Sequence, residues 1–232
     1  MLPVILLAGG LGTRMYPLTH QTPKSLIQVL GVPFINYQLS YLEKQGVTHV
    51  VLCVGHYGKL IEEHVKFHCV YNLKIDFSYD GNFQIGTGGA IKKALPFIKD
   101  NFFVMYGDSY LPVDFKKIED NFFNFKKIGL MTVFLNRDNL DKSNVFFVDN
   151  KVMEYNKKAP KKNMKHIDYG ISILSKSVFD LYDYQNSFDL SDLFYDLSIS
   201  GNLYGYEVKE RFYEIGSMNG LKDLENYFVN KK

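Results

Sequence analysis

The chain has 232 residues, of which 46% are hydrophobic, and 27 basic against 25 acidic side chains leave a formal net charge of +2. That length fits one large domain, or a core domain with a small lobe, and the apolar fraction is enough to build a core without cross-links. Charge this close to neutral, with a basic cluster only over Lys157 to Lys165, argues against a nucleic-acid footprint. Cys53 lies inside the apolar run Val50-Val51-Leu52-Cys53-Val54 and Cys69 in a mixed segment, which is no disulfide framework and fits a reducing compartment. The opening MLPVILLAGG is too short to span a bilayer and lacks a basic flank or a cleavage site. A cytoplasmic protein with no membrane partner is therefore expected.

In chain order, Val4 to Ala8 reads as a strand running into the glycine-rich loop Gly9 to Gly12. Phe34 to Lys44 reads as a helix, Val47 to Val54 as a strand apolar on both faces, Lys59 to Phe67 as a helix and Lys74 to Tyr79 as extended. Gly88 to Phe97 is helical in pattern, and Phe102 to Tyr106 is a strand ending at Gly107-Asp108. This alternation predicts a Rossmann-like, mainly parallel central sheet flanked by helices. After Asp114 the rhythm changes: Ile128 to Leu135, Val145 to Val148, Lys151 to Tyr155 and Tyr169 to Leu174 read as strands with little helix between them. Asp149-Asn150 suits a hairpin turn, Lys157 to Lys165 a loop, and helices return over Ser191 to Ser198 and Gly220 to Asn230. The expected organisation is one α/β domain over residues 1–232 with a small antiparallel appendage: a nucleotide-binding part to about residue 113, then a sugar-binding and C-terminal part.

The stretch Leu6-Leu7-Ala8-Gly9-Gly10-Leu11-Gly12-Thr13-Arg14 comes directly after a strand. Glycines there let backbone N–H groups approach an anion, and Arg14 adds a planar fork for phosphate oxygens. A dinucleotide fingerprint would need a third glycine where Met15 stands and an acidic residue where Cys53-Val54-Gly55 stands. A Walker loop would close on Gly-Lys-Ser/Thr, whereas Lys24-Ser25 comes after Pro23 and lies too far on.

The whole run LAGGLGTRMYPLTHQTPKSL, Leu7 to Leu26, closely resembles the signature of the sugar-1-phosphate nucleotidylyltransferases. The resemblance implies that Leu7, Ala8, Gly9, Gly10, Gly12, Thr13 and Arg14 hold the triphosphate and that Lys24 bridges the nucleotide and sugar phosphates. Gln84-Ile85-Gly86-Thr87-Gly88-Gly89-Ala90 resembles the family segment at the base and ribose, bringing in Gln84 and Gly88. Tyr106-Gly107-Asp108-Ser109 matches the family's Gly-Asp metal site. Glu154 and Lys157, in a segment where the usual Glu-Lys-Pro is broken, and Asp168, Tyr169 and Gly170 stand where the family contacts the sugar and its phosphate. In Phe212-Tyr213-Glu214-Ile215-Gly216 a glutamate, Glu214, replaces the aspartate that is commonly the second metal ligand.

The same resemblance implies a transferase with Mg²⁺ as cofactor, Asp108 and Glu214 as its ligands, and Arg14, Lys24 and Asp108 as the catalytic set. A sugar phosphate is already anionic near neutral pH and needs no side-chain base, so none of the histidines has to act. His64 and His68 share a helical face, but no third ligand accompanies them and a solvated face is the expected setting. Gly86 to Ala90, Gly107 to Tyr110 and Asp168 to Gly170 together look most like the D-glycero-D-manno-heptose-1-phosphate guanylyltransferases, which make GDP-heptose for capsule or lipopolysaccharide. GTP and a heptose 1-phosphate are then the expected substrates. A uridylyltransferase on a hexose or amino-sugar 1-phosphate is the alternative, and a non-catalytic regulatory subunit is the alternative of another class. A glycosyltransferase would show Asp-x-Asp, where the chain has Asp108-Ser109-Tyr110. No nucleic-acid partner is expected, and a homo-oligomer stays open.

Overall fold

In a computed structural model the chain is described over residues 1–10, 12–81, 83–136, 140–181 and 187–231. Its strands are β1 (Val4–Leu7), β2 (Gln28–Val29), β3 (Val32–Pro33), β4 (His49–Val54), β5 (Lys74–Tyr79), β6 (Asn101–Tyr106), β7 (Ser109–Tyr110), β8 (Gly129–Leu135), β9 (Val145–Val148), β10 (Lys151–Tyr155), β11 (His166–Ser175), β12 (Leu203–Val208) and β13 (Tyr213–Glu214). The helices are α1 (Phe34–Lys44), α2 (Gly58–His68), α3 (Gly86–Ala94), α4 (Phe115–Phe125), α5 (Val178–Leu181), α6 (Leu190–Ile199) and α7 (Met218–Asn230).

The runs that are apolar on both faces become the centre of a nine-stranded sheet in the order β5-β4-β1-β6-β11-β8-β12-β10-β9. β5, β4, β1 and β6 are mutually parallel, with Leu6 opposite Leu52 on one side and Met105 on the other. β11 is antiparallel to both β6 and β8, and β12 lies parallel to β8, so six of these strands point one way. The mainly parallel sheet flanked by helices that the sequence predicts is thus observed.

Helices bury both faces, as a sheet of this kind requires. On one side Ile35, Leu39 and Leu42 of α1, Ile61 and Val65 of α2, and Phe115, Ile118 and Phe122 of α4 join one cluster with Leu6, Leu52 and Met105. On the other, Ala90, Ile91 and Ala94 of α3 pack with Leu190, Leu193, Phe194 and Leu197 of α6 against Ile5, Val51 and Val104. A third cluster joins Met15, Ile27 and Phe34 to Tyr110, Ile215, Leu221 and Leu224, clamping α7 against the loop after β1.

Two elements depart from the expected rhythm after Asp114. α4 is a full helix: Asp114 caps it by accepting from the Lys117 N–H at 3.1 Å, and Phe115, Ile118 and Phe122 recur at helical spacing on its buried face. β12 inserts between β8 and β10, so the antiparallel strands β10 and β9 continue the main sheet. The Asp149-Asn150 turn joins β9 to β10 with both residues at positive φ, 48° and 60°, the backbone of a tight hairpin turn. Lys157 to Lys165 carries no regular element, and Lys161 pairs with Glu154 while Lys158 pairs with Asp192. Among the described residues no helix is long and apolar enough to cross a membrane.

Candidate active site

The carboxyl ends of β1, β4, β5 and β6 lie along one edge of the sheet, where ligands of open α/β sheets bind. The chain leaves β1 through Gly9 and Gly10 and enters a short 3₁₀ turn over Thr13–Met15. The Thr19 hydroxyl donates to the Gly12 carbonyl at 2.8 Å, and Met15 is buried beneath, so Arg14 is turned outward into a cavity. A second 3₁₀ turn, Lys24–Leu26, starts at Lys24, whose ammonium donates to Asp108 Oδ2 at 2.7 Å.

Asp108 sits just past β6 and is tied to the far end of the chain by the two-stranded pairing of β7 with β13. Ser109 faces Glu214 there, and the Ile215 N–H donates to the Asp108 carbonyl at 2.9 Å. The Glu214 carboxylate accepts from the Gly216 N–H and, at 2.7 Å, from the Ser217 hydroxyl, just ahead of α7. A Cβ at Gly216 would overlap Glu214 Oε2 and meet Lys24 Nζ at 2.8 Å and Arg14 Nη2 at 3.5 Å. Two cations and a carboxylate therefore converge on one point, with Asp108 bonded to the same lysine. Asp108 and Glu214 offer oxygen donors only, a set that fits a hard divalent cation completed by phosphate oxygens. No cluster of three or more His, Cys, Asp or Glu side chains suited to a metal occurs among the described residues, His64 and His68 included.

Two cavities meet at this point. The first, about 450 Å³, is lined by Leu7, Ala8, Gly9, Gly10, Gly12, Thr13, Arg14, Lys24, Gln84 and Asp108, all expected from sequence. The second, about 600 Å³, holds Lys157, Asp168, Tyr169, Gly170 and Glu214, and shares Arg14, Tyr106 and Asp108 with the first. Two of the expected residues line neither. The Gly88 N–H donates to the Phe188 carbonyl at 3.0 Å, and a Cβ at Gly88 would collide with the Phe188 ring, so this glycine serves the packing of α3 on the segment before α6. The Glu154 carboxylate is held by Lys161 Nζ at 2.6 Å.

Asp168 is presented by an irregularity in β11, whose register with β8 shifts between Asp168 and Ser172. Gly170 takes φ 105° within it, backbone that a side chain would resist, and its N–H donates back to Asp168 Oδ1 at 3.0 Å. Burial pushes the Asp168 carboxyl up to about 6, against the opposing pull of the Gly170 N–H and the charge of Lys157.

Several lining residues carry no signal in the sequence motifs: Asp80 in the first cavity, and Asn144, Arg211 and Asn219 in the second. Asp80 stands directly after β5, so the rule that parallel strands present ligand residues at their carboxyl ends would have flagged it. Arg211 pairs with Asp223 and lies over the Tyr213 ring, contacts between segments that no local motif announces.

The model of the nucleotidyl transferase family matches residues 3–221 of the chain. The D-glycero-alpha-D-manno-heptose 1-phosphate guanylyltransferase of Campylobacter jejuni is 32% identical over 190 residues, 81% of this chain and 82% of that protein. Its namesake from Aneurinibacillus thermoaerophilus is 26% identical over 231 residues, 96% and 98% of the two chains. The crystal structure of HddC from Yersinia pseudotuberculosis complexed with GMP-PN superposes with a TM-score of 0.83 at 28% identity, covering 98% of this chain and all of that one. With its glycine loop, cation pair and strand-end aspartate in place, the chain belongs to the nucleotidyl transferase family.

Proposed function

We propose that this protein transfers GMP from GTP to D-glycero-α-D-manno-heptose 1-phosphate, releasing pyrophosphate and forming GDP-heptose for surface glycan synthesis in the cytoplasm. The observation that carries the reading is the meeting of the two cavities at Arg14, Lys24, Asp108 and Glu214. The first cavity is built wholly from residues up to Asp108, and the second draws mainly on residues from 140 onward. This supports a division into a nucleotide part and a sugar part near residue 113. The heptose-specific guanylyltransferases among the relatives supply the preference for GTP and heptose.

The attacking sugar phosphate is an anion near neutral pH, so the work left to the protein is alignment and neutralisation of charge. Lys24, which lines the first cavity and is bonded to Asp108, would touch both reacting phosphates, and Arg14, which lines both cavities, would steady the oxygens of the departing pyrophosphate. Backbone N–H groups of Gly9, Gly10, Gly12 and Thr13 would add fixed dipoles that need no reorganisation as charge grows at the α-phosphorus. Asp108 and Glu214 would hold Mg²⁺, which when bound supplies positive charge against the phosphates. Asp168, Tyr169, Gly170 and Lys157 line the sugar side, and Glu154 would join them on release from Lys161.

The test is a pyrophosphate-release screen of the common ribonucleoside triphosphates against a panel of sugar 1-phosphates. A site built for the guanine edge leaves buried groups unpaired when uracil enters, at about 1–3 kcal/mol per group, so GTP should exceed UTP by tens- to a thousand-fold in kcat/KM. Equal rates with UTP and glucose 1-phosphate would move the protein to the uridylyltransferases. Release with no pair at all would leave only a regulatory, non-catalytic function.

A further inference from the structure

We infer that Asp80 reads the base: its carboxylate accepts from the adjacent N1–H and N2–H₂ of guanine. The inference rests on the proposed use of GTP and assigns it to a residue.

Arg14, Lys24 and Asp80 all line the first cavity, and Lys24 is bonded to Asp108. Asp108 comes after β6 while Asp80 comes after β5, three strands away across the sheet, a span of about 14 Å at the usual strand spacing. A nucleotide whose phosphates rest on Arg14 and Lys24 would then carry its base toward Asp80, in a cavity to which Ile85 and Ala90 add apolar wall.

The surroundings of Asp80 make room for a carboxylate and then leave it unused. Its N–H extends the ladder to the Val54 carbonyl at 2.9 Å, and Lys93 Nζ takes its backbone carbonyl at 3.1 Å. Its carboxylate has no hydrogen bond or ion pair among the described residues. A Cβ at Gly9 would lie 2.7 Å from Asp80 Oδ2 and one at Gly55 would lie 3.3 Å from it, so any side chain at Gly9 would displace the carboxylate and one at Gly55 would crowd it. Two glycines thus vacate the space that one acid occupies. Burial raises the pKa of this acid with only Lys93 opposing, an unfavourable arrangement unless a donor from elsewhere completes it.

An ionised carboxylate only accepts, through two oxygens side by side. Guanine alone among the common bases puts two donors on neighbouring atoms of its pairing edge. Adenine sets one donor beside an acceptor there, cytosine one donor beside two acceptors, and uracil a single donor between two acceptors.

The experiment measures kcat/KM of the protein and of Asp80→Asn with GTP, ITP and XTP, each with the preferred sugar 1-phosphate. ITP lacks the 2-amino group, so the unmodified protein should use it about 10–100-fold less well than GTP, a readout that needs no variant. Asparagine offers one acceptor and one donor, the complement of xanthine's N1–H and C2 carbonyl. Asp80→Asn should therefore lose about 100-fold with GTP and prefer XTP, inverting the order. If the unmodified protein prefers GTP yet treats ITP as its equal, or if Asp80→Asn keeps GTP ahead of XTP, the inference falls and the proposed function stands. A uniform loss across the three nucleotides would mean that the acid reads the ribose, which also overturns it. Should the unmodified protein prefer UTP, the proposed function and the inference fall together.

Discussion

Replacing Lys24 by methionine keeps the unbranched stem and removes the ammonium, which isolates the charge. In the free protein the loss is modest. Lys24 is 13% exposed, but its partner Asp108 is 32% exposed, so water screens the 2.7 Å pair and stability should fall by about 1 kcal/mol. For a chain of this size that lowers Tm by roughly 2–4 °C. In the proposed transition state the same ammonium would face phosphate oxygens whose charge is growing, and losing one such contact should raise the barrier by ~2–4 kcal/mol. At tenfold per 1.36 kcal/mol, kcat should fall by roughly 30- to 900-fold. Arg14 remains to hold the triphosphate, so its KM should move by no more than about threefold. Initial-rate pyrophosphate release, with each substrate varied at saturation of the other, separates these effects. Lys24→Arg should not restore kcat, because a planar fork does not reproduce a compact point charge beside Asp108. A rise in the KM for GTP with kcat unchanged would refute the reasoning, leaving Lys24 a ground-state anchor only.

Asp108→Asn should abolish turnover while GTP binding stays measurable by calorimetry, and Glu214→Gln should raise the Mg²⁺ concentration needed for half-maximal rate; normal turnover of Asp108→Asn at saturating Mg²⁺ would remove that residue from the site. Gly88→Ala drives a methyl into the Phe188 ring and should destabilise the fold by about 1–3 kcal/mol, seen as a drop in Tm of roughly 2–12 °C. An unchanged Tm would mean that α3 shifts freely. Burial lifts the Asp168 carboxyl from 3.8 to about 6, so the folded state holds its proton more tightly than the unfolded chain does. The resulting destabilisation is absent below about pH 4 and full above about pH 6, at most about 3 kcal/mol. Asp168→Asn should therefore raise Tm at pH 7.5 and not at pH 4. It should also raise the KM for the sugar phosphate at pH 7.5, where the ionised carboxylate would accept from hydroxyls.

Periodicity and local motifs carried a large part of this structure. α1 spans the residues its pattern marks, Phe34 to Lys44, because its buried positions recur at helical spacing within one segment. β4 and β6 were readable because continuous apolar runs serve only where both faces are covered. α4 was equally legible, through the Asp114 cap and the spacing of Phe115, Ile118 and Phe122, but the surrounding lysines and asparagines mask it among segments of strand character. β12 was not, because its place as a parallel partner of β8 depends on pairing with residues far away in the chain.

The same line divides the site. The run from Leu7 to Leu26 marked by itself Gly9, Gly10, Gly12, Arg14 and Lys24, all of which line the first cavity, since a glycine loop with a nearby cation is a local pattern. That Glu214 stands opposite Ser109, the residue after Asp108, was decided by the pairing of β7 with β13, and Asp168 lines the cavity where the register of β11 shifts. The room for the carboxylate of Asp80 exists only because Gly9 and Gly55, just past two other strands, stand aside for it. Hydrogen-bonded pairing and close approach act between segments, and one segment's sequence holds no record of which neighbour the sheet will bring.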